Sequence, residues 1–412
     1  MLRSPWLIGV CVGVLGLAGA CGDDAGTGGT SQTGTDAGDG DGDGNETGGA
    51  SGSEGDGDPS GDGDPSGDGD PSGDGDPSGD GDGDPSGDGD GDPDPGFGPW
   101  CAPPPACDAP HPDPGPEADW EHLDSNVIVL AGDPNHRVRD MFYVPGETQW
   151  LMAKFAYGTI DKDLKDELVD VYVLRDCGDE WELLGTAATT EEGAHATVEG
   201  VEDTGGWVYF QIPADKQLGL GRHRVHMVVK GDLTTTDGFI EVVEPGTPIF
   251  LSDVDGTLTT YETEEFVDLL LGVVSSANEF SAAAMSILQD KGYHAMYLTA
   301  RPEWLVERTR EFVEVRGYPP GIIHTTLSFE GALGDAAVGY KTNELTMLEG
   351  KGLVPVWVFG NTESDAGAYQ NGGILPLDHR VFFQYTDALG GRRIESYGEL
   401  IEEFNALPDL CE

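Results

Sequence analysis

From Gly22 to Gly98 the chain is built almost wholly from Gly, Asp, Ser, Pro and Thr, and Gly-Asp-Gly-Asp-Pro-Ser repeats four times without error between Gly55 and Ser78. A stretch of this kind has no apolar surface to bury, so nothing offsets the entropy of ordering it. It carries 23 acidic residues and no Lys or Arg, so it repels itself and is expected to be an extended, disordered stalk. Its Asp-x-Asp pairs lack the fixed Glu and carbonyl positions of a calcium loop and read as solvated spacer. Any folded domain must come from the chain beyond residue 98.

Charge narrows the function next. Lys plus Arg number 21 against 77 Asp plus Glu, a formal charge of -56, which excludes unassisted binding to nucleic acid or to an anionic membrane face. A phosphate ligand would need a local positive device, and a bound divalent cation supplies one inside a carboxylate-rich site.

Residues 1–21 read as an export signal, with Arg3 followed by the apolar run Trp6 to Ala20, too short to span a membrane. The run ends Leu17-Ala18-Gly19-Ala20-Cys21, which resembles a bacterial lipobox, although Ala18 stands where a large aliphatic residue is commonest. The expectation is lipid on Cys21 and an extracytoplasmic protein tethered to the envelope, with Gly22 favouring the outer membrane or cell surface; ordinary secretion is the alternative. Cys11 leaves with the signal. Cys101, Cys107, Cys177 and Cys411 remain, an even set that fits an oxidising compartment. Cys101 with Cys107 and Cys177 with Cys411 is one of the three pairings open to them, and a zinc site is disfavoured by their spacing.

Between residues 99 and 245, short runs alternate apolar and polar residues: Asn126–Leu130, Val169–Leu174, Gly206–Ile212 and Arg224–Lys230. Period-two runs separated by Gly, Asp and Thr predict antiparallel strands, and roughly seven of them in ~120 residues suit an immunoglobulin-like sandwich. No chemistry is legible in this region. From 246 to 412 the pattern becomes apolar strands alternating with helices, the mark of a parallel sheet covered on both faces. The predicted strands are Ile249–Asp253, His294–Ala300, Gly321–Thr325, Val354–Gly360 and Arg380–Tyr385. Helices are predicted at Glu279–Asp290, Pro302–Val315 and Lys341–Leu348.

Asp253-Val-Asp-Gly-Thr257 stands where the first of these strands ends, the position at which open α/β sheets bind ligands. Two carboxylates two residues apart are hard to pack inside a strand, but at its exit they can converge on a cation and a phosphoryl group, while Gly256 lets the backbone turn. This motif resembles the first motif of haloacid dehalogenase-like phosphatases. The others follow in order: Thr299 ending the next strand, Lys341 at a helix start, and Asn361 with Asp365 beyond a later strand. The fold class implied is α/β, a Rossmann-like parallel sheet with a small cap or none, preceded by the all-β sandwich.

By that resemblance Asp253 is the nucleophile and Asp255 the acid and base. Thr299 and Lys341 hold the transferring oxygens, and Gly256 and Thr257 line the phosphoryl site. Asp253, Asp255 through its carbonyl, Asn361 and Asp365 would place Mg2+. A closer likeness is to the lipin-type phosphatidate phosphatases, whose domain is shared in altered form with phosphatidylinositol transfer proteins. It rests on Asp253-Val-Asp-Gly-Thr-Leu-Thr259, Tyr297-Leu-Thr-Ala-Arg301, Thr309-Arg310, Pro320-Gly321, Tyr340-Lys341 and Phe359-Gly-Asn361 with Asp365, over Thr247 to Glu403. Arg301 and Arg310 are its candidate headgroup contacts. Thr299 replaces the lipin Ser, and the lipin N-terminal amphipathic helix is absent. The resemblance implies a lipid phosphate, phosphatidate above all, as substrate, with a soluble phosphate ester or phosphatidate binding without turnover as the competing readings.

Overall fold

The computed structural model describes residues 104–260 and 273–410. The export segment with Cys21, the stalk, Cys101, Cys411 and the part of the loop after the first motif where a cap would sit lie outside the described residues. Among those described, no helix is long and apolar enough to cross a membrane.

The first domain is an all-β sandwich. Its strands are β1 (Arg137–Arg139), β2 (Met141–Tyr143), β3 (Trp150–Lys154), β4 (Ala156–Tyr157), β5 (Lys162–Asp163), β6 (Leu168–Leu174), β7 (Trp181–Ala188), β8 (Trp207–Gln211), β9 (Gly221–Val229) and β10 (Thr235–Val242). Three strands, β1-β3-β8, form one sheet and five, β2-β10-β9-β6-β7, the other; β4 and β5 make a separate ribbon. All pairs are antiparallel except β2 with β10. Inward residues of both sheets, among them Leu151, Val171, Trp207, Val225 and Ile240, close the core. The chain changes sheet at Asp140, between β1 and β2, and this residue is fully buried.

Asn126–Leu130 is not a strand: Ser125–Ile128 is a short helix, α1, continued as a 3-10 turn through Ala131. The carbonyl of Asp124 takes the N–H groups of both Val127 and Ile128, and an apolar run this short does not distinguish strand from helix by pattern. Among the three cysteine pairings left open, Cys107 is joined to Cys177, which excludes the Cys101–Cys107 loop.

In the second domain the strands are β11 (Ile249–Ser252), β12 (His294–Leu298), β13 (Gly321–His324), β14 (Pro355–Gly360), β15 (Arg380–Phe383) and β16 (Arg392–Ile394). The helices are α2 (Ser281–Asp290), α3 (Val306–Val315), α4 (Asp335–Gly350), α5 (Glu363–Asn371) and α6 (Ile401–Asn405). The sheet is wholly parallel in the order β13-β12-β11-β14-β15-β16. Strand order reverses at β11, so the crevice beyond its C-terminal end is the natural ligand site. One face buries Phe250, Tyr297 and Trp357 with Met285 of α2, Phe312 of α3 and Phe404 of α6. The other buries Leu251, Met296 and Val358 against Leu345 and Leu348 of α4 and Ala366 and Tyr369 of α5. Phe142, Val144 and Val243 of the sandwich belong to this second core, so the two domains are packed as one body. Helix α4 starts six residues earlier than expected, runs through Gly339 and places Lys341 in its second turn.

Candidate active site

β11 is an unbroken buried apolar strand, and the chain leaves it at Asp253, whose N–H donates to the Phe359 carbonyl of β14 at 2.9 Å. That bond fixes Asp253 at the junction of two strand ends. Gly256 takes φ +69°, a value costly for any residue with a Cβ, and folds the loop back so that its N–H reaches Thr259 Oγ1 at 2.8 Å. Asn278 clasps the loop from outside, its amide donating to the carbonyls of Thr257 at 2.8 Å and Thr259 at 2.9 Å. No pattern in the sequence marks Asn278, which meets its partners about twenty residues away only through the fold.

Lys341 arrives on α4. Its buried ammonium donates to Asp253 Oδ1 at 2.6 Å and to Asp365 Oδ1 at 2.5 Å. The other Asp365 oxygen accepts the N–H groups of Asn361 and Thr362, each at 3.0 Å, and the Thr362 hydroxyl at 2.8 Å. Thr362 accepts the Asp365 N–H in return, a reciprocal cap on α5; Thr362-x-x-Asp365 is the readable signature that sequence reasoning passed over. Gly360 makes room for this cap, because a Cβ there would lie 2.4 Å from the Asp365 Cβ. Thr257 Oγ1 lies 3.0 Å from Asp253 Oδ2 and 2.8 Å from Asn361 Oδ1, so a carboxylate oxygen and an amide oxygen from separate strand ends converge on one hydroxyl.

Asp255 is set differently. Its side chain is 30% exposed and receives Arg301 Nη2 at 2.6 Å, Arg301 Nε at 2.8 Å and the Thr299 hydroxyl at 2.8 Å. Arg301 in turn donates to Thr309 Oγ1 at 3.0 Å. Thr299 and Arg301, expected on the phosphoryl oxygens and the headgroup, are here the residues that hold Asp255. Arg310 is not brought to the site. Its guanidinium makes a buried two-pronged pair with Asp140 at 3.0 and 3.1 Å and lies over the Phe239 ring, so its charge is committed to the sandwich.

Burial, followed by the carboxylates of Asp365 and Asp255, outweighs the Lys341 ammonium and pushes the Asp253 carboxyl up to about 7. For Lys341 burial acts downward, but Asp253 and Asp365 overcome it and hold the ammonium protonated well above its ordinary value. One lysine shared by two buried carboxylates, with a third nearby, leaves the pocket short of positive charge. The donor set is all oxygen: carboxylates, an amide and backbone carbonyls. Both properties suit a hard divalent cation of the magnesium type. Since both Asp365 oxygens are engaged, its first effect is to orient Lys341 and the Asn361 turn.

A second cluster lies in the sandwich, where His111, His226 and Asp237 approach one another. Arg224 fills it, donating to Asp237 Oδ1 at 2.9 Å and to His111 Nε2 at 2.7 Å. The cation that the carboxylate calls for is thus already a guanidinium.

Residues 134–242 match the family model described as PITM 1-3, beta-sandwich domain, and residues 250–383 the one described as PITM 1-3, LNS2 domain. Both folded domains are homologous to those of the PITM proteins. Protein retinal degeneration B of Drosophila melanogaster is 28% identical over 265 residues, 63% of this chain and 19% of that protein. Membrane-associated phosphatidylinositol transfer protein 1 of Rattus norvegicus is 28% identical over 213 residues, 50% of this chain and 15% of its own length. Membrane-associated phosphatidylinositol transfer protein 2 of Homo sapiens is 26% identical over 279 residues, 66% and 19%. The chain therefore spans a fifth or less of the relatives it matches.

Proposed function

We propose that the chain is a magnesium-dependent phosphatase of the haloacid dehalogenase type, acting through an aspartyl-phosphate on phosphatidate or a related lipid phosphate. The observation that carries this reading is the convergence of Asp253 and Asp365 on Lys341, with Asn361 joined to Asp253 through Thr257, while Asp255, two residues on, is held by Thr299 and Arg301. Chance acidity does not bring such side chains from separate segments onto one buried lysine.

Asp253 attacks phosphorus and the bond to the ester oxygen breaks, giving a phosphorylated Asp253 and an alkoxide that takes a proton from Asp255. Water then attacks the phosphorylated residue, giving its proton to Asp255, and phosphate leaves. Lys341, hydrogen-bonded to Asp253 Oδ1, keeps that carboxylate oriented and offsets charge on the transferring oxygens. Arg301 and Thr299 hold the Asp255 carboxyl in one orientation while its proton comes and goes. Magnesium, which Asp253, Asn361 and the Asp255 carbonyl would hold while Asp365 orients Lys341 and the Asn361 turn, would supply charge neutralisation at the phosphoryl group. The matched relatives named as lipid transfer proteins favour a lipid ligand, and lipid on Cys21 with the stalk as spacer would bring the site to envelope lipid. They also favour a second reading, phosphatidate binding without turnover.

The test is phosphate release from phosphatidate in mixed micelles and from soluble esters, with Mg2+ or with chelator, in wild type and Asp253→Asn. Release from phosphatidate that needs Mg2+ and disappears in the variant supports the proposal. Release from soluble esters alone moves the substrate, and retention of phosphatidate without release by folded protein selects the binding reading.

A further inference from the structure

The strand that crosses between the two sandwich sheets carries three charged residues, Arg137, Arg139 and Asp140, all buried. Each reaches a different element of the α/β domain. Arg139 donates to Glu344 Oε1 at 2.6 Å and to the Thr325 carbonyl at 2.8 Å. Glu344 sits one turn after Lys341 on the same side of α4, and its other oxygen meets His324 Nδ1 at 2.6 Å. Arg137 donates to Glu303 Oε2 at 3.1 Å, two residues beyond Arg301, the residue that grips Asp255. Asp140 takes Arg310 of α3 and the Ile323 N–H at 3.1 Å.

We propose that this stretch, 137–140, is a clamp that positions both arms of the site. Through Glu344, Arg139 sets the rotation of α4 and hence the reach of Lys341 to Asp253. Through Glu303, Arg137 sets the segment that carries Arg301 and its grip on Asp255. Leu345 and Leu348 also hold α4, but apolar packing has no direction, whereas a charge-assisted bond to a guanidinium fork has one. The sandwich is then part of the catalytic apparatus, and its residues act as positioning groups that never touch substrate. The inference rests on the phosphatase reading above.

A contact at the opposite end of the sheet provides the contrast. Glu241 pairs with Arg222 of its own domain and accepts from His294 Nδ1 at 3.0 Å, where β12 begins rather than where it ends. A purely stabilising interface would give both contacts the same effect on turnover.

The experiment compares the mature full-length protein with R139M/E344L and with Glu241→Gln, in the Mg2+-dependent phosphatase assay and in thermal unfolding. The double variant replaces the buried pair by apolar side chains, an exchange that buried ion pairs often tolerate. Expected is a kcat at least about tenfold lower with KM within about twofold and a cooperative fold in R139M/E344L, against an unchanged kcat in Glu241→Gln. A folded R139M/E344L with wild-type kcat overturns the clamp while leaving the phosphatase reading intact. Should the double variant fail to fold, Arg139→Lys, which keeps the charge without the fork, is read the same way: lowered kcat supports the clamp and wild-type kcat overturns it. If wild type releases no phosphate, that reading is what has failed, and amide exchange over 335–350 decides the clamp. Faster exchange around Lys341 in R139M/E344L supports it, and an unchanged rate overturns it.

Discussion

Asp253 in the pocket and Glu344 at the domain interface are both buried carboxylates with a cation at 2.6 Å, yet their proton affinities are displaced in opposite directions. Burial raises both. Glu344 is paired with both Arg139 and His324, and together they overcome burial and hold it down to about 2. Asp253 shares Lys341 with Asp365 and faces Asp255, and it is pushed up to about 7. At the interface the Glu344 charge is compensated, and the carboxylate serves as scaffold. The pocket is left short of a positive charge, the state expected of a site that works with a divalent cation and a phosphoryl group.

The sharpest way to break this contrast is to neutralise each carboxylate in turn. Asp253→Asn is expected to lower phosphate release by at least about a thousandfold. In metal-free buffer at pH 8 the same variant should unfold at equal or higher denaturant than wild type, because it removes an under-compensated charge. Glu344→Gln should do the reverse to stability, costing about 3 to 5 kcal/mol in denaturant unfolding, since it leaves Arg139 buried and under-paired. Equal stability losses in the two variants would erase the distinction.

The pH dependence of stability sharpens it. A carboxyl raised on folding stabilises most below its unfolded value and loses that contribution as pH climbs through its folded one. In chelator, wild type should therefore lose up to about 4 kcal/mol between pH 4 and 7 from Asp253, a loss absent in Asp253→Asn and reduced by Mg2+. The depressed Glu344 has the opposite sign: its contribution is full above about pH 4.5 and disappears as pH falls toward 2. The smallest effect should come from Thr362→Ala, which removes the cap that holds Asp365 and should cost about 1 kcal/mol, visible as a shift of a few degrees in Tm.

Much of the α/β domain was legible because each strand is an apolar run that ends on a polar residue, and polar residues at the exits of a parallel sheet meet in space. Asp253 and Asp255 could be picked out on that ground, and Thr299, Lys341, Asn361 and Asp365 only through the resemblance to the phosphatase motifs. What those side chains touch was less legible. Thr299 and Arg301 fall on Asp255, and Arg310 is claimed by Asp140, 170 residues away in the chain and in another domain, where no local pattern points. The start of α4 was missed because glycine reads as loop, and α1 because a short apolar run fits either periodicity. The sandwich was visible as strands but silent as chemistry, since the meaning of Arg137, Arg139 and Asp140 lies in partners supplied by the other domain.

The proposed aspartyl-phosphate puts the phosphoryl group on the Asp253 carboxylate and on no other residue. Acid-quenched protein, mixed with phosphatidate and Mg2+ and then reduced with borohydride, should contain homoserine at position 253 and nowhere else, with none when Mg2+ is chelated. Reduction at a different carboxylate, or none at all while phosphate is being released, would contradict it.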